Sequence, residues 1–204
     1  MKRKIGIMGG TFNPIHHGHL ILAQTAYEQF DLDQILFIPN KNPYYKKFHR
    51  EITEGQRVDM VKLAIEDNDI FAFSDIELQR EGTTYTVETL RILTEQNPDT
   101  EYYFIMGADS LFHFESWKEH EEIFKLATLL VAARDSVSMN NIESQIEYLE
   151  ERYEDVKIQC LMAPSLEISS SGLRKMIRQG KRIRYFVPDK VEGYIKEHGL
   201  YREE

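Results

Sequence analysis

Short apolar runs alternate with longer amphipathic stretches along almost the whole chain. Runs rich in Ile, Val, Leu and Phe are typical of strands that are buried on both faces of a parallel sheet. The pattern predicts six strands, over residues 4–8, 34–38, 70–73, 102–106, 129–133 and 156–161.

The amphipathic stretches between these runs have the spacing of helices. Thr53 and Gln56 match a capping box, and Val58, Val61 and Ile65 then lie on one face of the helix that the box opens. The pattern predicts six helices, over residues 19–30, 53–66, 86–96, 142–153, 170–179 and 188–198.

Glycine and proline mark several helix ends. Pro98 stops the third helix, while Gly180 and Gly199 follow the last two, where a left-handed residue commonly closes a helix. The acidic helix over 142–153 is expected to present an exposed face.

Strands that alternate with helices favour an α/β fold with a Rossmann-like, doubly wound parallel sheet. We expect one domain over residues 1–204, with a small C-terminal helical portion from about residue 165. Ligands of such sheets bind beyond the carboxyl ends of the strands. The turn at 9–20, the loop at 39–50 and the segment at 107–117 should therefore share one rim.

Composition narrows the function classes. The formal net charge of −9 argues against a general nucleic-acid binder, although the stretches 41–50 and 174–185 are locally basic. No apolar run approaches the length of a membrane span, so no membrane partner is expected. Cys160, the only cysteine, has no partner for an internal disulfide, which favours a reducing cytoplasmic location.

The stretch GGTFNPIHHGHL, residues 9–20, carries the most specific chemistry. Gly9 and Gly10 end the first strand and let a ligand approach the main chain closely. A helix follows from about Gly18, and its first N–H groups favour an anion. His16 and His19 are three residues apart and share a face of that helix, which suits a row of phosphate oxygens.

Two common nucleotide-binding motifs are absent from the chain, and a metal site remains as an alternative to phosphate binding. The stretch does not give the G-x-G-x-x-G pattern of dinucleotide binding, and no P-loop pattern occurs in the chain. A metal site remains an alternative because HHGH places imidazoles close together, and it would indicate a metal-dependent hydrolase. The other histidines, His49, His113, His120 and His198, form no matching pattern.

Two short motifs together resemble those of a known superfamily. Residues 16–19, His-His-Gly-His, resemble its H-x-G-H signature, and Ser171-x-x-Arg174 within ISSSGLR resembles its [ST]-x-x-R signature. We call these the first and second signatures. They are the signatures of the HxGH nucleotidyltransferases. The wider match resembles the bacterial nicotinate-mononucleotide adenylyltransferases, through FIPN at 37–40, GTTYTVETL at 82–90, MGADSL at 106–111, the Trp117 region and VPDKVEGYIKEHGLY at 187–201.

The resemblance implies transfer of an adenylyl group from ATP to nicotinic acid mononucleotide, with release of pyrophosphate. His16, His19 and Arg174 would be catalytic, and Mg²⁺ would be held mainly by the triphosphate rather than by the protein. Asp109 would bind a ribose, and a helix N-cap is its alternative role. The residues expected to bind ATP are Gly9, Gly10, Thr11, Phe12, His16, His19, Gly107, Asp109, Ser170, Ser171 and Arg174.

The acceptor nucleotide carries a flat ring and a carboxylate. The resemblance implies that Trp117 stacks on the ring, although a packing role is also open. Free amides where Tyr85 and Thr86 begin a helix could hold the carboxylate. Arg134, just beyond a strand, is expected to contact phosphate, as is Lys46.

One loop departs from the family pattern. The family often has Pro-Pro-His-Lys after the second strand, and this chain has Pro43, Tyr44, Tyr45 and Lys46. Transfer to nicotinamide mononucleotide, or to both acceptors, remains an alternative, as does a non-catalytic nucleotide-binding regulator. The sequence leaves open whether the chain forms a homo-oligomer.

Overall fold

Six parallel strands form one sheet in the computed structural model, which describes residues 2–41, 52–132, 139–164 and 166–202. The strand order is β3-β2-β1-β4-β5-β6, the order of doubly wound nucleotide-binding sheets. The predicted α/β fold is therefore confirmed. The strands are β1 Arg3–Gly10, β2 Gln34–Pro39, β3 Phe71–Phe73, β4 Thr100–Gly107, β5 Ala127–Ala132 and β6 Ile158–Leu161.

Eight α-helices lie in the described part of the chain, and six of them were predicted. The helices that the pattern missed are α4, α5 and a short 3₁₀ helix over Phe114–Ser116, all in the segment after β4. The α-helices are α1 His17–Gln29, α2 Glu54–Ile65, α3 Thr86–Gln96, α4 Ala108–Phe112, α5 His120–Leu126, α6 Met139–Arg152, α7 Ser170–Arg178 and α8 Asp189–Glu197.

Alternating residues of the strands feed two apolar clusters, one on each face of the sheet. Leu130 and Ala132 of β5 belong to the cluster formed with α1, α2, α7 and α8. Leu129 and Val131 of the same strand belong to the cluster formed with α3, α4, α5 and α6. The strands are apolar on both faces because both faces are covered by helices.

The predicted caps are present and fix where helices begin and end. Gln56 N–H donates to the Thr53 hydroxyl at 3.2 Å, while the Gln56 side chain accepts from Thr53 N–H at 2.9 Å. Gly180 and Gly199 both have positive φ, at 69° and 61°. Each closes its helix with the paired hydrogen bonds of a Schellman motif, one of which runs from Lys181 N–H to the Met176 oxygen at 2.9 Å.

The strand order reverses between β1 and β4, which pair in parallel with Met8 opposite Ile105. Crevices at such reversal points, beyond the carboxyl ends of the strands, are where doubly wound sheets bind ligands. Gly10 of β1 and Gly107 of β4 end at that crevice. Among the helices of the described residues, none is both long and apolar enough to span a bilayer.

Candidate active site

A cavity of about 600 Å³ opens at the carboxyl ends of β1 and β4. Its volume suits a nucleotide-sized or drug-sized ligand. Strands, loops and three separate helix beginnings contribute to its wall. Seven of the residues predicted from the sequence line it, namely Gly9, His19, Tyr85, Thr86, Gly107, Asp109 and Trp117.

The two imidazoles of the first signature pack against each other at the start of α1. His16 is the N-cap residue and is only 4% exposed, whereas His19 lies one turn further on and faces the cavity. Their rings stack with centroids 3.7 Å apart. His16 N–H donates to Nδ1 of His19 at 3.3 Å. Because Nδ1 accepts this bond, the neutral His19 ring carries its hydrogen on Nε2.

Phe12 lies beneath this pair rather than in the cavity. Its ring is 1% exposed and meets the His19 ring edge-on at 5.1 Å. Its φ of 48° is in the left-handed region, which turns the chain sharply after β1. A Cβ at Gly10 would lie 3.0 Å from the Phe12 ring, so a larger residue there would require that buried ring to shift. Neither Gly9 nor Gly10 has a positive φ, so no left-handed backbone angle requires glycine at either position.

The second signature contacts the first-signature turn directly. Arg174 Nη1 donates to the main-chain oxygen of Asn13 at 2.7 Å, and the Ser170 hydroxyl donates to the Pro14 oxygen at 2.9 Å. Ser169 is the residue that caps α7, accepting from Gly172 N–H at 3.1 Å. The exposed Ser171 lies at the helix start, with its hydroxyl 3.3 Å from that of Ser169.

Two further side chains hold the same turn, and neither was selected from the sequence. The buried Arg57 donates from Nη1 to the main-chain oxygen of Thr11 at 2.8 Å, and burial lowers the pKa of its guanidinium. Tyr201, 4% exposed, donates its hydroxyl to Oδ1 of Asn13 at 2.7 Å. Arg57 lies four residues before Val61 and eight before Ile65, so helical spacing places it on the buried face of α2. That spacing is the signal that could have identified it.

Asp109 reaches the cavity from α4, the helix after β4, whereas the first signature reaches it from α1, the helix after β1. It is the second residue of α4, is exposed, and lines the cavity. The N-cap of α4 is Gly107, so the alternative role of Asp109 as that cap is wrong. Its carboxylate is therefore available at the cavity wall.

The residues expected to bind the acceptor nucleotide also line this cavity, at the start of α3 and just after the short 3₁₀ helix. Tyr85 is the N-cap residue of α3, and its side chain does not cap the helix. Thr86 is the first helical residue, so its N–H belongs to the first turn, where N–H groups have no intrahelical acceptor. Trp117 is half-buried and packs edge-on to Phe104, with ring centroids 6.0 Å apart. One edge of the indole is thus fixed by packing while the residue still borders the cavity.

A buried carboxylate connects the end of β2 with the first turns of α3 in the cavity wall. Glu77 is 5% exposed and accepts from Asn40 Nδ2 at 3.0 Å and from the Thr89 hydroxyl at 2.9 Å. Asn40 follows β2, and Thr89 lies in the first turns of α3. No sequence pattern indicated Glu77, because its partners are distant along the chain and the residue lies in a turn.

The remaining predicted residues divide into two groups. One group lies at the end of β1, in the turn after it or in the first half of α7, and none of its members is among the cavity-lining residues that the structure describes: Gly10, Thr11, Phe12, His16, Ser170, Ser171 and Arg174. Lys46, Arg134 and the divergent Tyr45 lie outside the described residues. Within the described ranges, no group of three or more His, Cys, Asp or Glu side chains is placed to hold a metal ion.

Comparison with known proteins places this architecture in a family. Residues 7–176 match the model of the cytidylyltransferase-like family. The chain is 48% identical over 199 residues to a protein of Lachnoclostridium phytofermentans named "Probable nicotinate-nucleotide adenylyltransferase", covering 98% of this chain and 99% of that protein. A Clostridium botulinum protein with the same name is 42% identical over 202 residues, covering 99% and 100% of the two chains.

The fold is also that of solved relatives. The structure of Plasmodium falciparum nicotinic acid mononucleotide adenylyltransferase complexed with NaAD matches with a TM-score of 0.81 at 21% identity, over 98% of this chain and 97% of that one. At that identity the match shows the fold, and the closer sequence relatives show the family. The chain belongs to the cytidylyltransferase-like nucleotidyltransferases and, within them, to the nicotinate-nucleotide adenylyltransferase family.

Proposed function

We propose that this chain transfers the adenylyl group of ATP to nicotinic acid mononucleotide, giving deamido-NAD and pyrophosphate. One observation carries the proposal beyond family membership: a single cavity is lined both by His19 and Asp109, expected to bind ATP, and by Tyr85, Thr86 and Trp117, expected to bind the acceptor. A nucleotide triphosphate and a pyridine nucleotide would then bind next to each other within it.

The reaction needs alignment more than a strong base. The phosphate of the mononucleotide is largely ionised at neutral pH, since the second pKa of a phosphate monoester is about 6. Its oxygen attacks the α-phosphorus of ATP, a new phosphoanhydride bond forms, and the bond to pyrophosphate breaks. The enzyme must hold two anions in line and stabilise the charge that develops on the leaving group.

His19 and Arg174 suit those tasks. Because Nδ1 of His19 accepts from His16 N–H, Nε2–H would be the donor to a phosphate oxygen, and the stack with His16 holds the ring in place. Arg174 has five N–H donors and uses Nη1 on Asn13. That bond fixes the guanidinium beside the first-signature turn, where its positive charge would attract the phosphates. The hydroxyl of Ser171 would add a neutral donor at the start of α7.

The residues of the site fit a divalent cation that is brought in by the nucleotide. Mg²⁺ keeps several waters and takes phosphate oxygens with at most one or two carboxylates, so it requires no cluster of protein ligands. The Asp109 carboxylate borders the cavity and would contact such an ion directly or through water if it does not bind the ribose. When bound, Mg²⁺ neutralises charge on the phosphates.

Recognition of the acid form would depend on the start of α3. The first-turn N–H groups after Tyr85 are donors, so they favour a carboxylate acceptor over an amide that presents N–H donors of its own. Trp117 provides an aromatic surface for the pyridine ring at the same wall. The main-chain donors thus select for charge, and the indole selects for a flat ring.

The test measures pyrophosphate release with ATP and a panel of mononucleotides. We expect kcat/KM for nicotinic acid mononucleotide to exceed that for nicotinamide mononucleotide at least about tenfold, as expected when donors face donors. Comparable values would favour dual specificity. Pyrophosphate or phosphate release from ATP without any acceptor would instead favour a hydrolase and would contradict the proposal.

A further inference from the structure

A group of three charged side chains lies beside the proposed pyridine-nucleotide end of the cavity. Glu88 is the third residue of α3, one turn from its N-cap Tyr85. Lys118 Nζ contacts Glu88 Oε1 at 2.6 Å, and the Arg80 guanidinium pairs with the other oxygen of Glu88. We call Arg80, Glu88 and Lys118 the α3 charge cluster.

Lys118 connects this cluster to the cavity itself. It lines the cavity next to Trp117, and its Nζ lies 4.5 Å from the centroid of the Tyr85 ring. The ammonium group is therefore held between the residue that caps α3 and the carboxylate in its first turn. It also tethers the segment that carries Trp117 to the helix that carries Thr86.

The charge of Glu88 poses a problem for an anionic substrate. A carboxylate in the first turn of a helix interacts favourably with the helix N-terminus, so it competes with any anionic ligand at the same terminus and repels it. The hydrogen bond from Lys118 and the charge of Arg80 hold the pKa of Glu88 below its ordinary value, so this carboxylate is ionised at neutral pH. Two cations against one anion leave the cluster with a net charge of +1.

We propose that Lys118 determines the preference for an acidic pyridine nucleotide, by cancelling with Arg80 the negative charge of Glu88 at the start of α3. This inference rests on the proposed function and specifies how that site separates nicotinate from nicotinamide. Lys118 acts here through the local field and the position of Glu88, so it is a positioning residue.

Charge arithmetic gives four distinct expectations for the acid-to-amide ratio of kcat/KM. Lys118→Met lowers the cluster to zero net charge and should reduce the ratio about fivefold or more, as expected for a unit charge within a Debye length. Glu88→Gln raises the net charge to +2 and should keep or increase the ratio. The double variant returns the net charge to +1 and should recover most of the wild-type ratio. Added salt should narrow the gap between wild type and Lys118→Met.

A second ion pair provides the matched control. Arg91 Nη2 contacts Glu119 Oε2 at 2.5 Å, which tethers the same segment to the same helix one turn further along. The double variant Arg91→Met with Glu119→Gln removes that tether without changing net charge. It should leave the ratio unchanged, so a purely mechanical role for the tethers is separated from a role of charge.

The possible results distinguish a failure of this inference from a failure of the proposed function. If the wild-type chain releases pyrophosphate with nicotinic acid mononucleotide but Lys118→Met keeps its ratio, or the double variant with Glu88→Gln fails to recover it, the inference is wrong while the proposed function stands. If the wild-type chain releases none with either mononucleotide, the proposed function is wrong and the inference falls with it.

Discussion

Arg174 on α7 donates a hydrogen bond of 2.7 Å to the main-chain oxygen of Asn13, in the turn after β1. The two residues are far apart in sequence, yet the bond joins the second signature to the first. Ser170 makes a parallel contact with the Pro14 oxygen, so the attachment does not depend on one side chain. A guanidinium held in this way would lose little side-chain entropy when a phosphate binds beside it.

The position of Arg174 predicts a loss of turnover when its charge and donors are removed. In Arg174→Met, kcat for pyrophosphate release should fall about 10²–10³-fold, as for other donors to developing charge. Arg174→Lys should recover only part of the rate, because an ammonium group cannot bond Asn13 and a phosphate in the same planar arrangement. Arg178→Met, on the exposed last turn of the same helix, is the control and should keep its rate. A rate for Arg174→Met within threefold of wild type would remove Arg174 from the mechanism.

His19 should be essential for rate and dispensable for folding. His19→Ala removes the cavity-facing imidazole but none of the buried apolar core, so the circular dichroism spectrum should be retained while kcat falls by about two to three orders of magnitude. His17→Ala is the matched control. The main-chain N–H of His17 donates to the Phe186 oxygen at 2.9 Å, and alanine keeps that hydrogen bond. Equal rates for the two alanine variants would contradict the assignment.

Local patterns predicted the sheet and the longer helices because each strand is buried on both faces and most helix ends carry their own signal. The Schellman closures at Gly180 and Gly199 follow from residues next to each other in sequence. By contrast, α4 and α5 have only five and seven residues, too few for a helical period to show. The left-handed Glu119 before α5 also lacks the glycine or asparagine that would have marked it.

The site was less predictable than the fold, and the reason is again distance along the chain. The signatures predicted His19, which lines the cavity, and Arg174, which contacts the turn after β1, and the resemblance indicated the cavity-lining Trp117 and Tyr85. Neither the signatures nor the resemblance indicated Glu77, whose partners Asn40 and Thr89 are brought together only by the fold. Long-range polar contacts of this kind leave no local pattern, so they emerge only from the structure.

Tyr201 should stabilise the first-signature turn through its hydroxyl. Tyr201→Phe keeps the ring and removes the bond to Oδ1 of Asn13, so the free energy of unfolding should fall by about 1–2 kcal/mol, the usual cost of a buried hydrogen bond. Urea denaturation measures the change. Tyr148→Phe on the exposed side of α6 should leave the free energy of unfolding unchanged, because Tyr148 is 41% exposed. A loss no larger than that of the control would show that the turn does not depend on this bond.

Tyr194 gives a prediction about pH and stability. Its hydroxyl donates to Asp59 Oδ2 at 2.8 Å, which joins α8 to α2. Burial, followed by this bond, raises the pKa of Tyr194 to about 12. A folded-state pKa above the unfolded value of about 10 means that the stabilisation is complete below pH 10 and is lost as the pH rises toward 12.

The comparison of wild type with Tyr194→Phe isolates this effect from other titrations at high pH. Wild type should have the larger free energy of unfolding near neutral pH, because phenylalanine cannot donate to Asp59. Urea denaturation at a series of pH values should show the difference shrinking above about pH 10, where the unfolded tyrosine begins to ionise. A difference that stays constant through that range would mean that the hydroxyl is not held in its protonated form by Asp59 and burial. A difference that grows would reverse the sign of the pKa shift.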